Sequence, residues 1–389
     1  MKAQVLHSIC DLRYEEVPEP VLRSGEVMIG VRAAGICGSD VPRVYETGAH
    51  KMPLIPGHEF SGVVESVGEG ADHAWTGKRV GVFPLIPCGK CEQCRQGHYE
   101  LCRSYDYTGS RRDGAFAERV AVPASNLIEL PENVSFEEAA MLEPMSVAVH
   151  AMRRGFRAAG IPDVTGPAGT ELAEKTVAII GAGTIGLLLA MFLKDAGARK
   201  LFIIGNKDTQ KKRAAVVTGV EKTLPEGKPQ DAAGFINTME TDPVEQLCSR
   251  TGGGADLVFE CVGKAETCST AVECAAPMGT VVLMGNPYGE MTLSRNTYWK
   301  VLRNQLTLTG TWNSSFDVTA EGDAPQIRPV SGTARDDWRY VLERLQKNAV
   351  RPSGLITHRL PLAELERGLL IMRDKTEDYC KVMVGSMER

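Results

Sequence analysis

Along the first third of the chain, apolar and polar residues alternate in short stretches broken by glycine and proline. Glu26–Val31, Ser61–Val67, Arg79–Phe83 and Phe116–Val122 carry this texture, and a period of two rich in β-branched residues predicts strands of a barrel-like or mixed β domain. From about Glu174 the pattern changes. Val177–Ile180 is wholly apolar, as in a strand covered on both faces, and the small and apolar residues Ile185–Ala196 predict a helix behind it. Further apolar runs at Leu201–Ile204, Leu257–Phe259 and Val281–Met284 are separated by helix-length segments, the rhythm of βαβ units in a parallel sheet. Gly160–Thr170 has no hydrophobic period and is expected to be a surface loop just before this second domain. After about Tyr298, a strand-like piece at Leu306–Thr311 and a helical segment at Leu362–Arg373 are expected to pack back on the first domain. The predicted organisation is therefore residues 1–155, the first part of a mixed β domain; 156–298, a parallel α/β domain; and 299–389, a return to the first.

At 389 residues the chain exceeds the ~250–300 at which one core stops growing, in keeping with two domains. With 43% hydrophobic residues, 24% charged and a formal charge of −5, nothing draws it toward nucleic acid or anionic lipid. No run reaches the ~18 apolar residues of a membrane span, and the first residues lack the basic-then-apolar order of a secretory signal. The expected address is the cytoplasm, with neither nucleic acid nor membrane as partner. Four of the eleven cysteines crowd into Cys88–Cys102, and in a reducing compartment such a cluster favours metal over disulfide.

Cys88, Cys91, Cys94 and Cys102 have the spacing C-x2-C-x2-C-x7-C, which lets four thiolates converge on one tetrahedral ion. With every position filled by protein, a zinc there is structural; an iron–sulfur cluster or free thiols are the alternatives. Gly181-Ala-Gly183-Thr184-Ile185-Gly186 follows a buried strand and opens a helix, the context in which G-x-G-x-x-G binds a dinucleotide pyrophosphate at a helix N-terminus. The domain is thus expected to be a doubly wound parallel sheet of the Rossmann type. The acid that usually binds the ribose hydroxyls of NAD is missing, since the next strand runs into Gly205-Asn206-Lys207. Asp208 could serve instead, or Asn206 and Lys207 could accept a 2′-phosphate; NAD and NADP both remain open, with a slight lean to NADP. Elsewhere Cys37, His58 and Glu143 supply a thiolate, an imidazole and a carboxylate from separate segments. Three mixed ligands with a free position describe a catalytic zinc. Singly, each is equally readable as a buried small residue, a structural histidine or a solvated acid.

Taken together, Gly35–Asp40, Gly57-His58-Glu59, the cysteine lobe, Leu142-Glu143-Pro144 and Gly181–Gly186 resemble the zinc-dependent medium-chain dehydrogenase family over nearly the whole chain. The resemblance implies Cys37, His58 and Glu143 as ligands of a catalytic zinc, Glu59 as a neighbour that exchanges onto the metal, and Ser39 as the first hydroxyl of a proton relay. It implies two zinc ions per chain, NAD or NADP, and a homodimer or homotetramer. Glutamate at 143, where simple-alcohol dehydrogenases of the family carry cysteine, is similar to the polyol branch. Gly48-Ala-His50, Pro84–Cys88, Tyr107–Gly114 and Gly310–Ser314 resemble the galactitol-1-phosphate 5-dehydrogenases in particular.

The implied reaction is hydride transfer between a polyol, or a hexitol phosphate, and the nicotinamide in a cleft between the domains. Tyr45 suits hydroxyl recognition, and Arg43, Lys51, Arg111 and Arg112 are candidate phosphate partners. The plain alternative pairs Arg111 and Arg112 with Asp113 or Glu118. Sorbitol, threonine and butanediol dehydrogenases are plausible relatives by the same resemblance. A non-catalytic binding protein on this fold is the alternative of another class, and a zinc-free reductase is argued against by the intact ligand set.

Overall fold

The computed structural model describes residues 1–162, 170–218, 233–317 and 336–385. They form two compact units, one of Met1–Ser146 with Ser314–Arg389 and one of Val147–Asn313. Most of the expected surface loop Gly160–Thr170 lies outside the described residues.

In the first unit the apolar alternation becomes a seven-stranded mixed sheet. Its centre is Glu26–Gly35, which pairs antiparallel with Glu59–Val67, Arg119–Pro123 and Lys381–Gly385. Arg79–Val82 and Leu127–Glu129 extend it on one side, and Ile356–Pro361 on the other. Val27, Ile29, Phe60, Val64, Val80, Phe116 and Val382 meet in one buried cluster. That core anchors the strand ends from which Cys37, His58 and Glu59 project.

The second unit is a six-stranded parallel sheet. Across it lie Gly234–Asn237, Lys200–Gly205, Thr176–Ile180, Ala255–Glu260, Ala275–Leu283 and Thr307–Gly310. Numbered along the chain this is the order 3-2-1-4-5-6, so the sheet reverses direction of growth beside Thr176–Ile180, where an open α/β sheet offers a crevice for a dinucleotide. Val177–Ile180 and Leu201–Ile204 are buried, as continuous apolar runs in a parallel sheet must be.

The boundaries differ from those expected at 155 and 298. Leu142–Ala158 is one helix that passes from the first unit into the second, so no loop marks the first crossing. Leu306–Thr311, expected back in the first domain, instead supplies the strand Thr307–Gly310, which pairs in parallel with Ala275–Leu283. Hydrogen-bond demand at that sheet edge holds it, and the chain returns to the first unit only at Ser314. The helix Leu365–Asp374 lies in that unit, as read from the sequence. No described helix is long and apolar enough to cross a membrane.

Candidate active site

The cysteine lobe has little apolar material: Tyr99 and Tyr105 pack on the sulfurs and little else does. All four thiols face inward, with donor atoms within 4.8 Å of one another. Sulfur separations of 3.9 Å for Cys88–Cys94, 3.5 Å for Cys91–Cys94 and 3.9 Å for Cys91–Cys102 surround the ~3.8 Å that four Zn–S bonds of ~2.3 Å impose on a tetrahedron. Backbone amides point at the sulfurs, Cys88 N–H at Cys102 Sγ (3.2 Å) and Cys91 N–H at Cys88 Sγ (3.4 Å). The amide of Arg103, followed by that of Cys94, holds the Cys91 thiol down at about 6, whereas burial pushes Cys94 up. Amide dipoles aimed at sulfur suit thiolates, and these residues fit a zinc ion.

The second cluster is buried. Cys37 follows the central strand, and His58 and Glu59 begin the neighbouring one; the register Gly35↔Glu59 brings them level. Their ligand atoms lie within 4.8 Å of one another. Asp40, fully buried, accepts the Cys37 amide at 3.0 Å, pairs with Arg43, and stands 3.6 Å from His58 Nδ1, an atom withdrawn from solvent without a hydrogen bond. Lys381, 2% exposed, donates to the Glu59 carboxylate and to Ile36 O (3.0 Å). Glu143, at the start of its helix, accepts from the Tyr107 hydroxyl at 3.3 Å. Burial, opposed by His58 and reinforced by Glu59, pushes the Glu143 carboxyl up to about 7. Burial, then Glu59, Asp40 and Glu143, also drives the Cys37 thiol upward. Among the described residues one thiol, one imidazole and three carboxyls thus crowd around Lys381 and Arg43, and the upward shifts of Cys37 and Glu143 mean that their anionic forms lack a compensating charge, which a divalent cation would supply.

In the second unit the glycine loop joins the first strand to the helix Thr184–Asp195. A Cβ on Gly186 would meet Gly181 O at 1.9 Å, whereas one on Gly183 would meet open space. The first contact explains the tight turn, and the open space leaves room for a pyrophosphate at the helix start. At the end of the next strand a Cβ on Gly205 would meet Gln210 Oε1 at 2.6 Å and Phe235 Cζ at 2.7 Å. An acid at that position would require the ends of the Gln210 and Phe235 side chains to shift, while Asn206 and Lys207 stand exposed just beyond it. Across the crevice, buried Glu260 accepts the amides of Val262 (2.8 Å) and Gly263 (2.9 Å) and the Thr267 hydroxyl (2.8 Å), pinning the loop after its strand.

Residues 23–132 match the alcohol dehydrogenase GroES-like domain, and residues 184–327 match the zinc-binding dehydrogenase family. The chain belongs to the zinc-dependent medium-chain dehydrogenase family. It is 35% identical over 298 residues to galactitol 1-phosphate 5-dehydrogenase of Escherichia coli K12, covering 77% of this chain and 79% of that one. The crystal structure of galactitol-1-phosphate dehydrogenase from Escherichia coli superposes with a TM-score of 0.80 at 30% identity, covering 99% and 100% of the two chains. RspB of Escherichia coli CFT073 in complex with NADH has a TM-score of 0.79 at 25% identity, with 99% of each chain covered. A zinc-binding dehydrogenase from Sinorhizobium meliloti bound to NADP also has 0.79, at 27% identity and 98% coverage of each. The chain is therefore an oxidoreductase of a zinc- and nicotinamide-dependent family.

Within this dehydrogenase the candidate residues sort themselves. Cys37, His58 and Glu59 come together, and Glu143 joins them through Tyr107 and its electrostatic coupling to His58. Ser39, partly exposed, caps the turn after Cys37 and keeps its hydroxyl free of any hydrogen bond among the described residues. Tyr45 turns instead toward the C-terminal helix: Arg373 lies 4.4 Å over its ring, and Glu366 and Asp374 are its acidic neighbours. The one-turn helical segment Arg43–Thr47 sets that direction, and Tyr107 takes the place beside the metal donors. Arg112 pairs with Glu26 at 2.5 Å rather than with Asp113 or Glu118. Tyr107, Asp40 and Lys381 were not singled out from sequence. Lys381 opens an apolar strand, a lone cation at the head of a buried stretch, and that is the available signal.

Proposed function

We propose that this chain is a zinc-dependent polyol dehydrogenase that interconverts a hexitol phosphate, such as galactitol 1-phosphate, and its ketose. The reading is carried by the convergence of Cys37, His58 and Glu59, with Glu143 electrostatically coupled to His58, in a chain 35% identical to a galactitol 1-phosphate 5-dehydrogenase. A zinc ion held by Cys37, His58 and Glu143 would supply Lewis acidity to the reacting hydroxyl, a nicotinamide would accept the hydride, and a second zinc on Cys88, Cys91, Cys94 and Cys102 would brace the lobe.

The remaining work falls to the chain. Lys381 donates to Glu59, whereas Glu143 makes no ion pair among the described residues and is coupled most strongly to His58, which supports Glu143 as the third ligand. Asp40 braces the Cys37 backbone and faces His58. Ser39 takes the hydroxyl proton toward solvent. On the nucleotide side, Gly181, Gly183, Thr184, Ile185 and Gly186 receive the pyrophosphate. Asn206 and Lys207 receive a 2′-phosphate, a lean to NADP supported by the crowding at Gly205.

A homodimer or homotetramer is supported by the edge strand Thr307–Gly310 and by the exposed Trp299 (42%) and Trp312 (54%) before and after it in the chain. The thiolate-rich lobe suits a reducing, cytoplasmic compartment.

The deciding experiment follows nicotinamide absorbance with phosphorylated and free polyols, using NAD and NADP in parallel. Galactitol 1-phosphate should be the best substrate of the panel. Turnover of threonine or of free sorbitol alone would move the assignment to those relatives, and no absorbance change with any substrate would favour a binding protein.

A further inference from the structure

Three arginines stand near the metal-bearing strand ends, and their partners differ. Arg43 is bound to buried Asp40, beside the metal donors. Arg112 is spent on Glu26, with Asp106 at 3.9 Å. Arg111 has neither an ion pair nor a guanidinium hydrogen bond among the described residues: its Cζ lies 4.6 Å over the Tyr105 ring, and its Nε is withdrawn from solvent without an acceptor. A half-buried guanidinium with an orphaned N–H is costly unless an anion completes it.

The loop that carries Arg111 is tied to the metal donors. The amides of Ser110, Arg111 and Arg112 all converge on Tyr107 O (3.2, 2.9 and 3.2 Å), so Arg111 sits one turn from Tyr107. Tyr107 in turn reaches Glu143 through its hydroxyl, and its ring lies 5.8 Å from the His58 ring. A Cβ on Gly109 or on Gly114 would meet Gly57 O at 2.4 or 2.2 Å, so the loop is pressed onto the residue that precedes His58. Ala115 N–H to Gly57 O (3.0 Å) and Phe116 N–H to Pro56 O (3.0 Å) lock it there. Thr108, on the same turn, is 1% exposed and its hydroxyl has no hydrogen-bond partner among the described residues. One loop, pinned by these contacts, therefore touches the metal donors through Tyr107 and carries, one turn on, a guanidinium without an ion pair among the described residues.

We propose that Arg111 holds the phosphate of the substrate and sets the preference for phosphorylated over free polyols. This rests on the hexitol-phosphate reading above. A hexitol phosphate oxidised far from its phosphorylated end presents hydroxyl and anion at opposite ends of one carbon chain, as Tyr107 and Arg111 are presented on one loop. The planar guanidinium, fixed by stacking on Tyr105, offers a fork to two phosphate oxygens.

The test uses the zinc-loaded enzyme and its R111Q, R111K and R112Q variants, with galactitol 1-phosphate and galactitol as substrates and inorganic phosphate as competitor. For R111Q, kcat/KM on galactitol 1-phosphate should fall about 10- to 100-fold more than on galactitol, mostly through KM. R111K should recover part of the difference, and inorganic phosphate should compete with galactitol in wild type but not in R111Q. R112Q should lower the melting temperature while leaving the substrate ratio in place. The same ratio should appear with NAD and with NADP, which separates substrate phosphate from the cofactor's 2′-phosphate. If wild type prefers galactitol 1-phosphate and R111Q keeps that preference, or loses both substrates equally, Arg111 is not the anchor and the substrate reading stands. If wild type prefers galactitol and phosphate does not compete, the substrate reading falls and takes the anchor with it.

Discussion

The two candidate metal centres of the first unit are built in opposite ways. In the lobe, four cysteines within fifteen residues of chain meet by local turns, under aromatic cover from Tyr99 and Tyr105. In the buried centre the donors come from two strand ends and a helix start, set level by sheet register and surrounded by Asp40, Lys381 and Tyr107. A local site depends on its metal for its shape, whereas a site hung on a packed sheet keeps its shape without metal and can leave a position open. The first design stabilises a loop; the second serves chemistry.

The comparison breaks most visibly if ligand removal has the same effect at both centres. His58→Ala or Cys37→Ser should lower turnover by more than about a thousand-fold, because the metal's several kcal/mol at the reacting oxygen are lost. The melting temperature should stay within a few degrees and one zinc per chain should remain. Cys94→Ser should do the reverse: it should lose the other zinc, cost about 3–4 kcal/mol, and lower the melting temperature by roughly 5–10 °C. Activity per folded molecule should largely survive. Metal analysis with thermal melts checks both, and a Cys94→Ser protein that is inactive yet undiminished in stability would remove the distinction.

Lys381 sharpens it further. Breaking a buried pair leaves an uncompensated charge, so Lys381→Met should lose ~3–5 kcal/mol of stability and lower activity about 10- to 100-fold. Adding Glu59→Gln should recover much of the stability. With cobalt in place of zinc, the visible spectrum should change in Lys381→Met, as Glu59 is freed toward the metal. An unchanged spectrum would argue that Lys381 only packs.

The same contrast explains what was legible in the sequence. The lobe and the glycine loop are local motifs, readable because ligand spacing and the apolar run before Gly181 lie within one short window. The central strands of both sheets are legible for the same reason, as periodicity is a local property, whereas Leu127–Glu129, Ile356–Pro361 and Lys381–Gly385 are not. Lys381 reaches Glu59 only because Lys381–Gly385 pairs with Glu26–Gly35, which in turn pairs with Glu59–Val67; no window of sequence contains that fact. Tyr45 and Tyr107 were equivalent as residue types, and only the turn around Arg43–Thr47 and the loop after Tyr107 separate them. The short strand Gly234–Asn237 has too few residues to show a period. The unit boundary near Ser146 was hidden inside a continuous helix.

The smallest expected effect lies in the other unit, where the groups proposed to choose the cofactor are exposed. Lys207 is exposed, so its attraction for a 2′-phosphate is screened by water and salt, and Lys207→Ala should change the NADP-to-NAD ratio of kcat/KM only about 3- to 10-fold. Asn206→Asp should push the ratio further toward NAD, since it adds an acceptor for ribose hydroxyls and a charge that repels phosphate. Gly205→Asp, at the position where an NAD-selecting acid was expected, should instead lose both cofactors and stability, because Gln210 and Phe235 fill the space its side chain needs. A Gly205→Asp protein that gained NAD activity without losing stability would mean that the Gln210 side chain yields. The lean toward NADP would then rest on Asn206 and Lys207 alone, two solvated groups rather than a steric block.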